Sequence, residues 1–222
     1  MHKQLFCPAK RYFCMKVALI VVFSLLLTSF FANGQDTWEL RRDENGIKIY
    51  SRRANGGKLV ELRLLTQFNT TPDELLNTLL NIQNYSNWIY GSKRAGIIKK
   101  INDHDIIYFT EAHLPWPIQD RDLVTELTVT PATATAPLII QAKSVQGILP
   151  PKPHFIRVPY SLATWRITPE GTSKVNIDYT FSVDPGGSVP GWLVNMTIAG
   201  GPYKSFVKLA DMLQAGHSKK NL

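Results

Sequence analysis

Glu111 and His113 are the pair in this sequence best spaced for proton chemistry. They stand two apart in YFTEAHL, and along a strand that spacing puts both side chains on one face. A carboxylate next to an imidazole, which titrates near neutral pH, can pass a proton to or from a bound substrate. The same spacing also describes two polar groups turned to solvent on a strand whose other face, with Tyr108, Thr110 and Ala112, is inside. Further along, Arg121 and Asp122 stand side by side, read either as a contact for a ligand carboxylate or headgroup or as a pair that fixes its loop through local hydrogen bonds. Between the two pairs lies LPWPIQ. Pro115 and Pro117 hold their own φ and push the residues before them toward extended backbone, so Trp116 is carried on a stiff arm, either presented outward or folded down as a plug on the core.

Little else in the chain supports catalysis. There is no Gly-x-Ser-x-Gly elbow, no His-Glu-x-x-His and no glycine-rich phosphate cradle, and His104, His113, His154 and His217 are scattered. Residues 1–34 hold Lys3, Lys10, Arg11 and Lys16 but no acid, then an apolar or small run from Val17 to Phe31, then Ala32-Asn33-Gly34. That order describes an export signal cut after Gly34, with Met15 as an alternative start; a membrane anchor needs about 20 apolar residues, and this run is shorter. Cys7 and Cys14 both fall in the leader. The exported chain then has no thiol for a disulfide, a zinc site or a nucleophile, and neither a metal nor a cofactor is expected. Four of the 25 basic residues also fall there, which leaves 21 against 17 acids, so the formal charge drops from +8 to +4 and a nucleic-acid partner loses its main support.

Residues 35–222 suit a single domain, and a chain of that size can bury about 70% of its unfolded surface without staples. Strands dominate the middle. In SKVNIDYTFSVD, Val175, Ile177, Tyr179, Phe181 and Val183 alternate with polar residues, and Val60, Leu62, Leu64 and Phe68 do the same in KLVELRLLTQF. Further strand runs are 46–53, 105–114, 121–130, 137–146 and 156–167, close enough together for antiparallel hairpins. In TTPDELLNTLLNIQNY, Thr71 caps a helix, Pro72 opens it and Glu74 completes a capping box. A second helix runs from Pro190 to about Leu213, with Trp192, Met196, Ala199, Tyr203, Phe206, Ala210 and Leu213 on one face and Lys204, Lys208 and Asp211 on another. The triplet Gly200-Gly201-Pro202 should kink or split that helix. A large twisted sheet curls, and one amphipathic helix in its concave face would close the dry side, leaving a hollow where the lining is too large or irregular to interdigitate.

With these elements in place the chain resembles the START domain family, the lipid-binding relatives of steroidogenic acute regulatory protein. The resemblance covers about residues 38–214 and is carried by Trp38 with GIKIYSR, by NYSNW ending at Trp88, by YFTEAHLPWPIQDRDLV, and by DYTFSVDPGGSVPGWLVN. It implies an α+β helix-grip: a curved antiparallel sheet wrapped around a long C-terminal helix, enclosing a tunnel for one lipid, fatty acid derivative or sterol-like molecule. On that reading Tyr108, Glu111, Trp116, Trp165, Tyr179, Trp192, Met196, Tyr203 and Phe206 meet the ligand. Pro115, Trp116, Pro117, Arg121 and Asp122, with Gly200, Gly201 and Pro202, form the gate at the mouth. Some sterol-handling relatives carry a second Arg in the cavity, at the position held here by Leu127. The expected protein is an exported monomer, periplasmic or secreted, that touches membranes transiently and moves a hydrophobic molecule. A cavity enzyme using Glu111 and His113, or a lipid sensor, are the alternatives.

Overall fold

The computed structural model describes residues 37–54, 59–116, 118–187 and 191–220, with the side chains of 54, 191–198 and 217–220 left aside. Ten strands form one sheet: β1 (Glu39–Glu44), β2 (Ile47–Ala54), β3 (Leu59–Phe68), β4 (Ser92–Lys100), β5 (Asp105–Ala112), β6 (Asp120–Thr130), β7 (Leu138–Ser144), β8 (Phe155–Arg157), β9 (Tyr160–Glu170) and β10 (Lys174–Asp184). The order across it is β1-β2-β3-β10-β9-β7-β6-β5-β4, antiparallel throughout, with the short β8 lying parallel beside β6. The alternating residues fall as expected, since Leu62, Leu64, Val175, Ile177 and Ile167 all point into the core and are buried. The β1–β2 hairpin turns at Asn45-Gly46, both at positive φ (51° and 72°), the backbone that a tight hairpin needs and that an Asn-Gly pair adopts readily.

Among the described residues three α-helices and one 3-10 turn complete the fold. α1 (Pro72–Leu80) starts as its cap dictates, with the Glu74 amide donating to the Thr71 hydroxyl at 3.3 Å. A single 3-10 turn at Ile82–Asn84 and the short α2 (Tyr85–Trp88) follow it, so the expected single helix breaks at Asn81. The long α3 (Gly191–Lys220) grips the sheet with Ser205, Phe206, Leu209 and Leu213 buried, while Lys204, Lys208 and Asp211 are exposed.

Three expectations change. α3 runs unbroken through Gly200-Gly201-Pro202. Packing outweighs propensity there: a Cβ at Gly201 would lie 3.2 Å from the Tyr90 ring, and the Ser205 hydroxyl donates to the Gly201 carbonyl while accepting from the Tyr90 amide. The expected strand over 156–167 is two strands, because Pro159 has no amide to give a ladder. Finally, β1 and β4 went unrecognised. Both are edge strands, ELRRDE and SKRAGIIKK, rich in charge and carrying bulges that break the two-residue period.

Candidate functional site

Between the sheet and α3 lies a cavity of about 310 Å³. Its cause is visible in the inward rows. Thr110 and Ala112 on β5, Ala142 on β7, and Ser161 and Ala163 on β9 face it, and Ala142 and Ala163 are direct cross-strand partners. Small side chains at the centre of the sheet cannot reach the helix, so the hollow comes from too little side chain, whereas an oversized lining was expected. Two residues along, at the next inward pair, Ile140 and Trp165 face each other and the gap narrows. The Trp165 and Phe206 rings stack at 5.0 Å, with Tyr179 tilted against both at 4.7 and 5.3 Å. This aromatic cluster forms one wall. The opposite wall comes from β4, β5 and β6 with α2, through Trp88, Ser92, Tyr108, Leu123, Thr125 and Leu127.

Of the expected ligand contacts, Tyr108, Glu111, Trp165, Tyr179 and Phe206 line this cavity, as do Gly201 and Pro202 from the expected gate. Tyr203 does not. Its place on α3 turns it to the β1–β2 hairpin, where the Asn45 side-chain amide donates to its hydroxyl at 2.6 Å and Arg42 sits 4.0 Å over its ring. Trp116 also lies outside the lining and is 92% exposed, so it is not a plug on the core. Pro117 lies outside the described residues, as do the side chains of Trp192 and Met196 on α3. Trp88, Ser92, Thr125 and the small row Ala142, Ala163 were not singled out as contacts. The period-2 pattern places Thr125, Ala142 and Ala163 on the inner face, so small residues there were the available signal, whereas Ser92 starts the bulged β4, which has no such pattern.

Glu111 and His113 form no joint site. The Glu111 carboxylate accepts from Lys152 Nζ at 2.6 Å with Arg94 4.0 Å away, and His113 Nδ1 lies 2.9 Å from Asp120 on an exposed loop. Arg121 and Asp122 likewise part company, because neighbours on a strand face opposite ways. Arg121 turns inward and donates to the carbonyls of Gln119, Pro185 and Gly186, binding the start of β6 to the turn after β10. Burial lowers its pKa against the opposing pull of Asp120. At Gly186 the backbone has φ 66° and a Cβ would stand 2.9 Å from the Pro159 ring, so this turn accepts only glycine without strain. Asp122 turns outward and receives a bidentate pair from Arg157 at 3.0 and 2.7 Å. Arg157 also donates to the carbonyls of Leu149 and Pro150, so one half-buried guanidinium fastens β6, β8 and the loop before β8.

The cavity phenols are kept neutral. Burial pushes Tyr85, Tyr108 and Tyr179 up, Tyr108 to about 12. Each is unperturbed near 10 in the unfolded chain, so their contribution to stability is complete below pH 10 and is lost as the pH rises through the folded value. Stability to urea is therefore expected to fall between pH 10 and 12, by about 3 kcal/mol for Tyr108 alone. Ultraviolet phenolate absorbance should show these three ionising only with unfolding; full ionisation near pH 10 in the folded protein would contradict their burial.

Comparison with known proteins agrees with this geometry. The sequence profile described as START domain matches residues 30–218. An uncharacterised protein of Pseudomonas aeruginosa is 27% identical over 167 residues, 75% of this chain and 82% of that protein. Mouse phosphatidylcholine transfer protein is 24% identical over 185 residues, 80% of this chain and 83% of its own length. The crystal structure of a STAR-related lipid transfer protein from Xanthomonas axonopodis superposes with a TM-score of 0.73 at 26% identity, covering 81% of this chain and 99% of that one. A profile match across most of the chain, on a curved antiparallel sheet closed by its C-terminal helix, places this protein in the START domain family.

Proposed function

We propose that this protein is a carrier that takes one hydrophobic molecule from a membrane into the cavity under α3 and shields it in transit, with no chemical step. The observation that carries this reading is the cavity itself, an apolar hollow within the size range of about 300–1,000 Å³ typical of small-molecule sites. Burying a guest there yields about 25 cal/mol for each Å² of apolar surface removed from water. The separate engagements of Glu111 and His113 favour carriage over catalysis. The lipid-transfer names of the mouse and Xanthomonas relatives support the same class of cargo.

The Trp116 loop is the membrane-facing part of the gate, and the helix carrying Gly201 and Pro202 is its other side. An indole prefers the boundary between water and hydrocarbon. Exposed Ile148 and Leu149 lie on the loop leading to β8, whose pairing begins at Asp120, where the Trp116 loop ends. The two apolar tips thus share one end of β6. Residues 1–34 act as the export leader in this reading, which puts the carrier in a periplasm or outside the cell.

Native mass spectrometry after incubation with phospholipid vesicles should show a one-to-one adduct, and donor-to-acceptor vesicle assays should show transfer. Trp116→Ala is expected to slow extraction about tenfold, equivalent to about 1.4 kcal/mol of partial indole burial at the membrane. Persistent recovery of guest-free protein that extracts nothing would overturn the carrier reading. Binding without transfer would assign a sensing role instead.

A further inference from the structure

Resting on the carrier reading, we infer that the face around Trp116 is built for an anionic lipid surface, with Lys93, Arg94 and Lys204 selecting the charge of the membrane on which the protein docks. Among the described residues seven large hydrophobic side chains are exposed, and four of them gather at this end: Trp116, Tyr90, Ile148 and Leu149. Backbone contacts tie them together. The His113 amide at the foot of the Trp116 loop donates to the Gly91 carbonyl at 2.8 Å, next to Tyr90. On the other side Arg157 donates both to the Leu149 carbonyl and to Asp122, near the start of β6 where the Trp116 loop ends. Exposed apolar groups collected at one end of a domain mark an interaction face.

The charges beside these groups are one-sided. Lys152 and Arg94 both stand against Glu111, at 2.6 and 4.0 Å, so two cations meet one acid. The Arg94 side chain is 68% exposed and that of Glu111 only 11%, which leaves the surplus facing water. Lys93 is exposed next to Arg94, and exposed Lys204 on α3 holds its Nζ 4.6 Å over the Tyr90 ring. The acids of this end are engaged. Asp120 accepts from the Leu114 amide and meets His113, Asp122 holds Arg157, and Asp184 accepts from the Gly186 amide. Apolar side chains that enter the headgroup layer bring such cations to the phosphates, and each Lys or Arg held at an anionic surface adds about fivefold in affinity. A zwitterionic surface has no net charge to offer them.

Co-sedimentation with two kinds of vesicle, phosphatidylcholine alone and an equal mixture with phosphatidylglycerol, tests this on the full chain. Every variant keeps the same residues 1–34, so the ratio of mixed to neutral affinity compares the docking face alone. The triple variant Lys93→Gln, Arg94→Gln, Lys204→Gln should lower that ratio about tenfold or more, and added salt should lower it in the wild type. A control triple, Lys99→Gln, Lys100→Gln, Lys174→Gln, removes as much charge from the far end of β4 and the start of β10 and should leave the ratio within about twofold. All six side chains are exposed, so both variants should fold. Trp116→Ala should weaken binding to both vesicles alike. An unchanged ratio in the first triple, or an equal fall in the two triples, would overturn the inference while guest extraction, measured on the same vesicles, keeps the carrier reading. Wild-type protein that sediments with neither vesicle and extracts nothing would remove both.

Discussion

Ala163→Trp is expected to eliminate guest binding while leaving the protein folded. Ala163 faces the cavity from β9, opposite Ala142 on one side and Phe181 on the other. Enlarging a packed core residue usually costs 1–3 kcal/mol in strain, but here the new ring enters space that is already vacant. An indole occupies about 150 Å² or more of buried surface. A guest denied that contact area loses about 4 kcal/mol, roughly a 500-fold fall in affinity. Titration with a fluorescent fatty probe and thermal melting together check it: binding should vanish while the melting temperature holds or rises. Retained binding at near wild-type strength would mean that the guest sits elsewhere, and a collapsed melting temperature would mean that the space is needed by the protein's own packing.

The second large effect belongs to the opposite face of the sheet. Removing the Asp122 carboxylate in Asp122→Ala leaves the half-buried Arg157 guanidinium with only the carbonyls of Leu149 and Pro150 as protein acceptors. Breaking a fully buried pair by deleting one partner costs about 3–5 kcal/mol, because the surviving charge is uncompensated, and the partial exposure of Arg157 puts this loss at the low end, about 3 kcal/mol. For a domain of this size that is a loss of roughly 10 °C in melting temperature. Replacing both partners together, Asp122→Ala with Arg157→Met, should recover much of the loss, since the stranded charge is then gone. Urea denaturation of the two single variants and the double variant completes the cycle, and a double variant no better than Asp122→Ala would show that the pair itself supplied the stability.

Much of this architecture was legible in local pattern. Central strands such as β3 and β10 have one dry face, so alternation identifies their inner residues, and the Thr71-Pro72-Glu74 signature marks a helix start by chemistry confined to one turn. The edges were not legible. β1 and β4 are paired on one side only, and the charge that keeps an edge from recruiting another chain also erases the alternation. The site was half legible. Tyr108, Trp165, Tyr179 and Phe206 were found because large aromatic side chains on inward positions must meet whatever fills the core. Trp88 and Ser92 reach the cavity from the short α2 and the bulged edge strand β4, a placement that only three-dimensional neighbours can show. Tyr203 was misassigned because a spacing of three or four along a helix defines a broad stripe, and α3 touches two partners along it, the cavity at Phe206 and the β1–β2 hairpin at Tyr203.

The sheet divides its labour by side. Asp122 and Arg157 fasten strands on the convex surface, while Ala142 and Ala163 define the hollow on the concave one, and β7 separates the strands that bear Asp122 and Ala163, a distance of about 10 Å between them. Substitutions that far apart, with no shared partner, combine additively. A descendant lineage can therefore reshape its cargo preference one concave residue at a time without reopening the problem of how the chain folds.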